Sequence, residues 1–331
     1  MNEQLKQIMR EILLDRYGID IDQTKCFFST QNYAFIPHGE PSFMIRVSAA
    51  PKKTRSEIMS ELLWVDDLKM FKQTICEPAV SLRGALLEEF EIDGKTYRAS
   101  MFRTARGTIK KTKEMKPMFF ICVGELLGNI HAVSEEEGKL GFKFRRKSKA
   151  EDFTALKERT FPHIPEAIRK RILSIEERVN MLPRESGSYG MCHGDFHMNN
   201  FFVEDNNIWV FDFDGCAYAH YMYDIASFVQ ACFLSGYGAG GDLRQIMNDE
   251  LLHYFRIGYE LNKKSDEAFW DSLDLFLEYR TAITYMSLCE IGNIGVVDDV
   301  EKVKQFFSFL ITQDDMLGAM TQAMKQSGAV I

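Results

Sequence analysis

The sequence predicts an α+β chain in two unequal parts, a small sheet carrying one main helix followed by a larger, mostly helical part. Three observations predict it: short β-type stretches with turn signals up to about residue 106, apolar residues at helical spacing beyond it, and a single return to β-type segments at residues 190–216. Leu5, Ile8, Met9, Ile12 and Leu13 fall at helical spacing and Gly18 stops the run, so an amphipathic helix opens the chain. β-type stretches follow at about residues 25–36, 42–48, 84–91 and 96–102, with turn residues at 37–41 and 92–95. One charged helical stretch, about residues 54–73, lies between the second and third of them. Further on, Phe119, Val123, Leu126, Leu127 and Ile130 mark one helix face, Ile168, Ile172, Ile175 and Val179 mark another, and helices resume from about residue 224.

The chain has 331 residues, with 40 Lys and Arg against 48 Asp and Glu, a formal net charge of −8. That balance argues against a general nucleic-acid binder, which needs a basic face to displace counterions. The basic run KFRRKSK at residues 143–149 reads as a solvated loop or helix face, since only Phe144 interrupts the cations with a stacking surface. A content of 46% hydrophobic and 27% charged residues is that of a folded protein of about two domains. With no apolar run near the ~18 to 20 residues that span a bilayer, and no signal-peptide core at the start, the expectation is a soluble cytoplasmic protein without a membrane partner. Seven cysteines without a CxxC pair read as reduced core thiols rather than disulfides or a zinc site.

Chemistry concentrates in HGDFHMNNFFVEDNNIWVFDFDG, residues 193–215. Strands at 201–203 and 208–211 flank a polar turn at 204–207, and a turn centred on Asn206 sets Asn200 opposite Asp212. An amide oxygen meeting a carboxylate suits Mg²⁺, which takes one or two protein oxygens and completes its shell with water and phosphates, so a nucleoside triphosphate is the natural partner. Asp195, five residues before Asn200, is placed to accept the proton of an attacking hydroxyl. The order H-x-D-x-x-x-x-N then D-F-x-G is a phosphotransfer signature, read here as His193, Asp195, Asn200, Asp212, Phe213 and Gly215. Asp214 either completes a second metal site or closes the turn. A rival reading takes His193, Asp195 and His197 as metal ligands of a hydrolase, but the other five histidines form no second close pair. His193 reads as a buried brace of the loop, and His197 as either loop packing or a group on the substrate side.

These motifs resemble those of the aminoglycoside phosphotransferase and choline kinase superfamily, in a branch near homoserine kinase and the bacterial spore-coat and stress-response kinase relatives. The resemblance covers about residues 20–235 and implies a bilobal protein-kinase-like fold. The N-terminal nucleotide-binding lobe would span residues 1–98, a hinge 99–107, and a helical C-terminal lobe with the acceptor site 108–331. AYAHYMYDIASFV at residues 217–229 resembles the family segment in which Asp224 braces the catalytic loop, and an N-cap role for Asp224 is compatible with that. FMIRV at residues 43–47 resembles the strand carrying the phosphate-gripping cation, here Arg46, and the stretch at 61–68 resembles the helix supplying its partner Glu61. Residues 29–35 sit where the family has its nucleotide-covering turn. This one lacks glycine, and Ser29, Thr30 and Asn32 would donate side-chain bonds instead. His131 reads as a packed helix residue.

The resemblance implies an ATP- or GTP- and Mg²⁺-dependent transfer to a hydroxyl of a small molecule of the aminoglycoside, amino alcohol, homoserine or sugar type. Tyr218, Tyr221 and Tyr223, and on a later helix Glu278 and Arg280, are the acceptor-site candidates, each with a plain packing or helix-surface role as the alternative. The acidic net charge favours a cationic acceptor by steering. A protein Ser/Thr kinase of the stress-response type and a catalytically silent nucleotide-binding module are the other two readings.

Overall fold

A computed structural model describes residues 3–28, 32–39, 42–49, 53–68, 75–111, 114–139, 146–291 and 300–327. The chain divides into two compact units. Unit 1 holds the described residues of Met1–Gly107, Phe144–Arg146 and Trp209–Asp214, and unit 2 those of Thr108–Lys143, Lys147–Ile208 and Gly215–Ile331.

Unit 1 begins with helix α1 (Glu3–Tyr17) and builds a sheet from β1 (Thr24–Phe28), β2 (Asn32–Pro37), β3 (Phe43–Ala49), β4 (Pro78–Ala79), β5 (Glu88–Ile92) and β6 (Lys95–Arg103). Helix α2 (Arg55–Leu68) follows β3. All pairings in the order β1-β2-β3-β6-β4, with β5 also on β6, are antiparallel. Side chains alternate along β3, as the strand period of two requires. Ile45 and Val47 join Met9, Leu13 and Tyr17 of α1 in the sheet core, while Arg46 between them is turned out of that cluster. The Tyr17 hydroxyl satisfies itself by donating to the Ala99 carbonyl at 2.9 Å.

The β-type stretch at 25–36 is two strands rather than one, paired from Thr24↔Pro37 to Phe28↔Tyr33, because an alternating pattern reads alike whether or not it folds back on itself. The stretch expected from residue 84 starts at Glu88 instead. The Ser81 hydroxyl accepts from the Arg83 and Ala85 amides and Gly84 takes φ +77°, so these residues form a turn. The expected helix over 54–73 is present from Arg55 to Leu68, and its remainder falls in residues 69–74, which lie outside the described residues.

Unit 2 is helical around two small strand pairs. Its elements are α3 (Pro117–Lys139), α4 (Lys149–Thr160), α5 (Glu166–Asn180), β7 (Tyr189–Cys192), β8 (Phe201–Glu204), β9 (Asn207–Val210), β10 (Ala217–His220), α6 (Met222–Leu234), α7 (Leu243–Ile246), α8 (Leu252–Tyr259), α9 (Glu267–Asp271), α10 (Leu273–Ile291), α11 (Val300–Ile311) and α12 (Met316–Ser327). The boundary between the units falls inside β9. β7 pairs antiparallel with β10, and β8 with β9 makes the expected hairpin. Helices α3 and α8 approach closely because Gly124 and Gly258 face the other helix's backbone. A Cβ on Gly124 would run into the Phe255 carbonyl, and one on Gly258 into the Ile121 carbonyl.

The segment Pro117–Gly138 within α3 is long and apolar enough to cross a membrane, with hydropathy 1.3, contrary to the expectation that the chain holds no such run. Since 61% of its apolar window is buried inside the protein, core packing accounts for its composition.

His220 on β10 shows how burial couples to pH. It is 8% exposed, packs on Tyr189 and Phe276, and lies 3.3 Å from the Pro183 carbonyl. Burial pushes its pKa down from 6.5 to about 4. The depressed value means the folded state resists protonation, so the contribution is full above 6.5 and is lost as pH falls from 6.5 towards 4. Chemical denaturation of wild type and His220→Gln across that range should show wild type losing up to about 3 kcal/mol more than the variant. Parallel pH profiles would refute this.

Candidate active site

The loop between β7 and β8 carries His193, Asp195 and Asn200, and α6 carries Asp224. Gly194 takes φ +81°, and a Cβ there would collide with the Gly215 backbone, so the tight turn that presents Asp195 admits only glycine. Asp224 is fully buried. Its Oδ2 accepts from the His193 amide at 2.7 Å and its Oδ1 from the Gly194 amide at 2.8 Å. The His193 ring is buried and its Nδ1 accepts from the Asp195 amide at 3.3 Å.

Asp195 is gripped on both carboxylate oxygens. Arg280 Nη2 donates to Oδ1 at 2.6 Å, and His197 Nε2 lies 3.2 Å from Oδ2. His197 Nδ1 accepts from the Asn199 amide, so Nε2 carries the proton and donates to Asp195. Burial opposes the charge on Asp195, but Arg280, His197 and Lys149 outweigh it and hold the carboxyl well below the usual range. Asn200 is 8% exposed and its Nδ2 donates to the Asp195 carbonyl at 2.9 Å, so the amide oxygen is the atom of this side chain chemically able to hold a cation.

In unit 1, Arg46 Nη1 lies 2.8 Å from Glu61 Oε1, with both side chains buried, and the guanidinium stacks over the Phe102 ring. Asp214 closes the cluster, with Lys53 Nζ at 2.6 Å and Arg46 Nη1 at 3.6 Å from its Oδ1. Asn32 Nδ2 reaches its Oδ2 at 3.4 Å, and Arg146 Nη2 donates to its carbonyl at 2.7 Å. Although burial opposes ionisation, Arg46 and Lys53 keep the Asp214 carboxyl well below its ordinary value. Phe213 packs edge-on against Trp64 of α2 at 5.4 Å. Asp212 takes φ +62°. Among the described residues the other non-glycine positions with positive φ, Asp93 and Asp205, sit in hairpin turns that demand it, whereas Asp212 follows β9 outside any hairpin turn.

The structure thus gathers Asn32, Arg46, Glu61 and Asp214 within unit 1, with Asp212 in the same unit, and His193, Asp195, Asn200 and Asp224 within unit 2. Ser29 and Thr30 lie outside the described residues, and Asn32 opens a strand. Asp224 is not an N-cap: Tyr221 holds that position, and the Asp224 carboxylate turns to the loop amides instead. Arg146 belongs to no solvated face, since it donates to the Glu57 and Asp214 carbonyls. Lys53, which pairs with Asp214, is a residue that sequence reasoning misses, because it stands in the cationic stretch PKKTR at residues 51–55, where nothing marks one cation from the next. Glu278 ties helices together, at 2.7 Å from Arg178 and 3.7 Å from Arg171, while Arg280 turns to Asp195. Tyr221 and Tyr223 are buried and Tyr218 is half-buried. Among the described residues, the side chains spaced to hold a metal ion are His131, Cys192 and Asp224, not His193, Asp195 and His197. Hydrogen bonding accounts for that buried trio: His131 Nδ1 meets the Tyr259 hydroxyl at 2.9 Å, and Cys192 Sγ faces the Ala219 and His220 carbonyls.

A buried arginine–glutamate pair beside a six-stranded sheet, and an aspartate loop braced from a helix in a helical unit, define a protein-kinase-like fold carrying phosphotransfer motifs. The profile of the family described as "Phosphotransferase enzyme family" matches residues 80–261, more than half of the chain, and the protein belongs to that family. It is a kinase of the aminoglycoside phosphotransferase and choline kinase superfamily, as the motifs imply. It is 21% identical over 290 residues to the amicoumacin kinase of Bacillus subtilis (strain 168), covering 87% of this chain and 86% of that one. In fold it is similar to an amicoumacin kinase solved with AMP-PNP, Ca²⁺ and Ami, at TM-score 0.82 and 19% identity over 94% of this chain and 96% of that one. A microcompartment-associated aminopropanol kinase matches at TM-score 0.62 and 15% identity over 97% of both chains.

Proposed function

We propose that the protein moves the γ-phosphate of ATP, with Mg²⁺, to a hydroxyl of a small molecule. The observation that carries this reading is the Asp195 loop, where an ionised carboxylate stands on a glycine turn with Asn200 bonded to its own carbonyl. Asp195 orients the acceptor hydroxyl and takes its proton, and His193 and Asp224 hold the loop in shape. Arg46, steadied by Glu61, grips the nucleotide phosphates with Asn32, and Ser29 is assigned to the same task from its place in the sequence. Asn200 and Asp212 offer the hard oxygen donors that Mg²⁺ takes, and the ion when bound offsets charge on the transferring group. Asp214, its carboxylate between Lys53 and Arg46, closes the turn through these ion pairs rather than ligating a second metal.

ATP rather than GTP is supported by the AMP-PNP bound to the amicoumacin kinase. The names of the two similar kinases support an acceptor of the aminoglycoside or amino alcohol type, ahead of homoserine or a sugar. Residues 1–98 serve as the nucleotide lobe, 99–107 as the hinge and 108–331 as the catalytic and acceptor lobe. A cytoplasmic setting suits seven cysteines held as reduced thiols.

The test is ADP release from Mg·ATP across aminoglycosides, amino alcohols, homoserine, sugars and a generic protein. Stimulation by one small acceptor, with phosphate recovered on it, is the expected outcome and names its class. Labelled protein with no small-molecule stimulation would replace this reading by a protein kinase, and nucleotide binding without any transfer by a silent binding module.

A further inference from the structure

We infer that Arg280 is a positioning residue for the catalytic carboxylate: its guanidinium fixes the orientation of Asp195, and Tyr223 fixes the guanidinium. The inference rests on the function proposed above, because it needs Asp195 to be the base. Arg280 comes from α10, 85 positions beyond Asp195, whereas the other side-chain partner, His197, belongs to the same loop. A carboxylate held only by its own loop would share that loop's motion, and an arginine on a nineteen-residue helix ties it to a rigid element.

The arginine is itself constrained. Its Nη1 donates to the Tyr223 hydroxyl at 2.9 Å, and its carbon lies 5.8 Å from that ring's centroid. The ring is 1% exposed, packs edge-on to Tyr279, and carries the Lys149 ammonium 5.4 Å from its centroid. The Lys149 ammonium makes no ion pair or hydrogen bond among the described residues, although its backbone carbonyl accepts from the Tyr279 hydroxyl. Its charge adds to that of Arg280 and His197 in favouring the ionised Asp195. Among the described residues, the buried Arg280 Nε has no hydrogen-bond partner. An orphaned donor is unfavourable, so the side chain is not placed to satisfy itself. Its placement delivers Nη2 to one carboxylate oxygen and leaves the other toward His197.

Pairing with a guanidinium lowers the basicity of Asp195, a cost that phosphoryl transfer tolerates. The transition state is loose, and the base contributes more by aiming the hydroxyl than by removing its proton early.

The experiment compares Arg280→Met, Arg280→Lys, Tyr223→Phe, Asp195→Asn and the double variant Arg280→Met/Asp195→Asn in the full chain. The readouts are ADP release from Mg·ATP, affinity for a fluorescent ATP analogue and the thermal midpoint. The acceptor is whichever compound stimulates most in the panel above, or water where none does. Arg280→Met should lower kcat about 100-fold with acceptor KM and nucleotide affinity within about threefold, Arg280→Lys should recover part of the loss, and Tyr223→Phe should lose about threefold to tenfold. In the Asp195→Asn background Arg280→Met should remove little further activity, because the arginine acts through that carboxylate. The inference is overturned if Arg280→Met keeps kcat within about threefold of wild type, or lowers the residual rate of Asp195→Asn by the same factor as it lowers wild type. With Asp195→Asn inactive and Arg280→Met active, this inference alone falls. If Asp195→Asn retains full activity, the reading of the site falls with it.

Discussion

Replacing Asp195 by Asn should slow phosphate transfer by about 10²- to 10⁴-fold, the range a positioned general base contributes, while nucleotide affinity stays within about threefold of wild type. The amide keeps the shape of the side chain but cannot accept a proton, and it no longer carries the charge that Arg280 Nη2 meets at 2.6 Å. Since the Asp195 side chain is 41% exposed, solvent screens the lost ion pair. Arg280 also keeps its bond to Tyr223, so the stability loss should be about 1 kcal/mol or less. A large fall in rate with a small fall in thermal midpoint is therefore the signature. Asp195→Glu should also fail, since a longer side chain displaces the carboxylate by about 1 Å, enough to cost about 10²-fold. ADP-release kinetics and denaturation on the same preparations check both. If Asp195→Asn kept its rate within about tenfold of wild type, Asp195 would lose the role of base.

How far such a site is legible in sequence depends on the distance over which its parts communicate. The loop from His193 to Asn200 is local, and the glycine that the Gly215 backbone demands stands inside the motif, so spacing alone carries much of its geometry. Arg46 is legible from its order before the catalytic loop, and its surroundings show why an arginine is buried there: Glu61 supplies the opposite charge and Phe102 a ring face. Arg280 stands out in sequence only as one polar residue on a helix, because nothing in a one-dimensional pattern says which face of α10 meets a loop 85 positions earlier. Lys53 and Arg146 sit in charged stretches whose cations look alike until the fold selects two of them for Asp214. By pattern alone the first β-type stretch reads as one strand, since chain reversal leaves no mark on it, and a turn at 29–35 is implied only by the family resemblance.

Asp224→Ala should cost about 3 to 5 kcal/mol of stability and at least about 10²-fold in rate, an effect on both because one buried carboxylate serves both. Its two oxygens accept the His193 and Gly194 amides, and removing them leaves two buried donors unpaired beside the residue that must hold Asp195 in place. Asp224→Asn is the more discriminating variant. Its single amide oxygen can take one of the two loop amides, but its NH₂ then points a donor at the other, so stability recovers only in part and the turn at Gly194 stays displaced. His131 adds to the same network with Nε2 at 3.4 Å from Oδ2. As an ionised carboxylate only accepts, the ring proton sits on Nε2 and Nδ1 is left to accept from the Tyr259 hydroxyl. Burial alone would raise the Asp224 pKa, yet these donors bring it below its ordinary value, so the contribution is full above the unfolded-state pKa and is lost as pH falls through the folded one. Thermal midpoints at neutral and acidic pH, with amide exchange at His193 and Gly194, separate loop release from global unfolding. Asp224→Asn should exchange faster at those two amides while the α3–α8 core stays protected. If exchange, rate and stability of Asp224→Asn all matched wild type, the carboxylate would be a packing residue and the shape of the catalytic loop would have to come from its glycine turn alone.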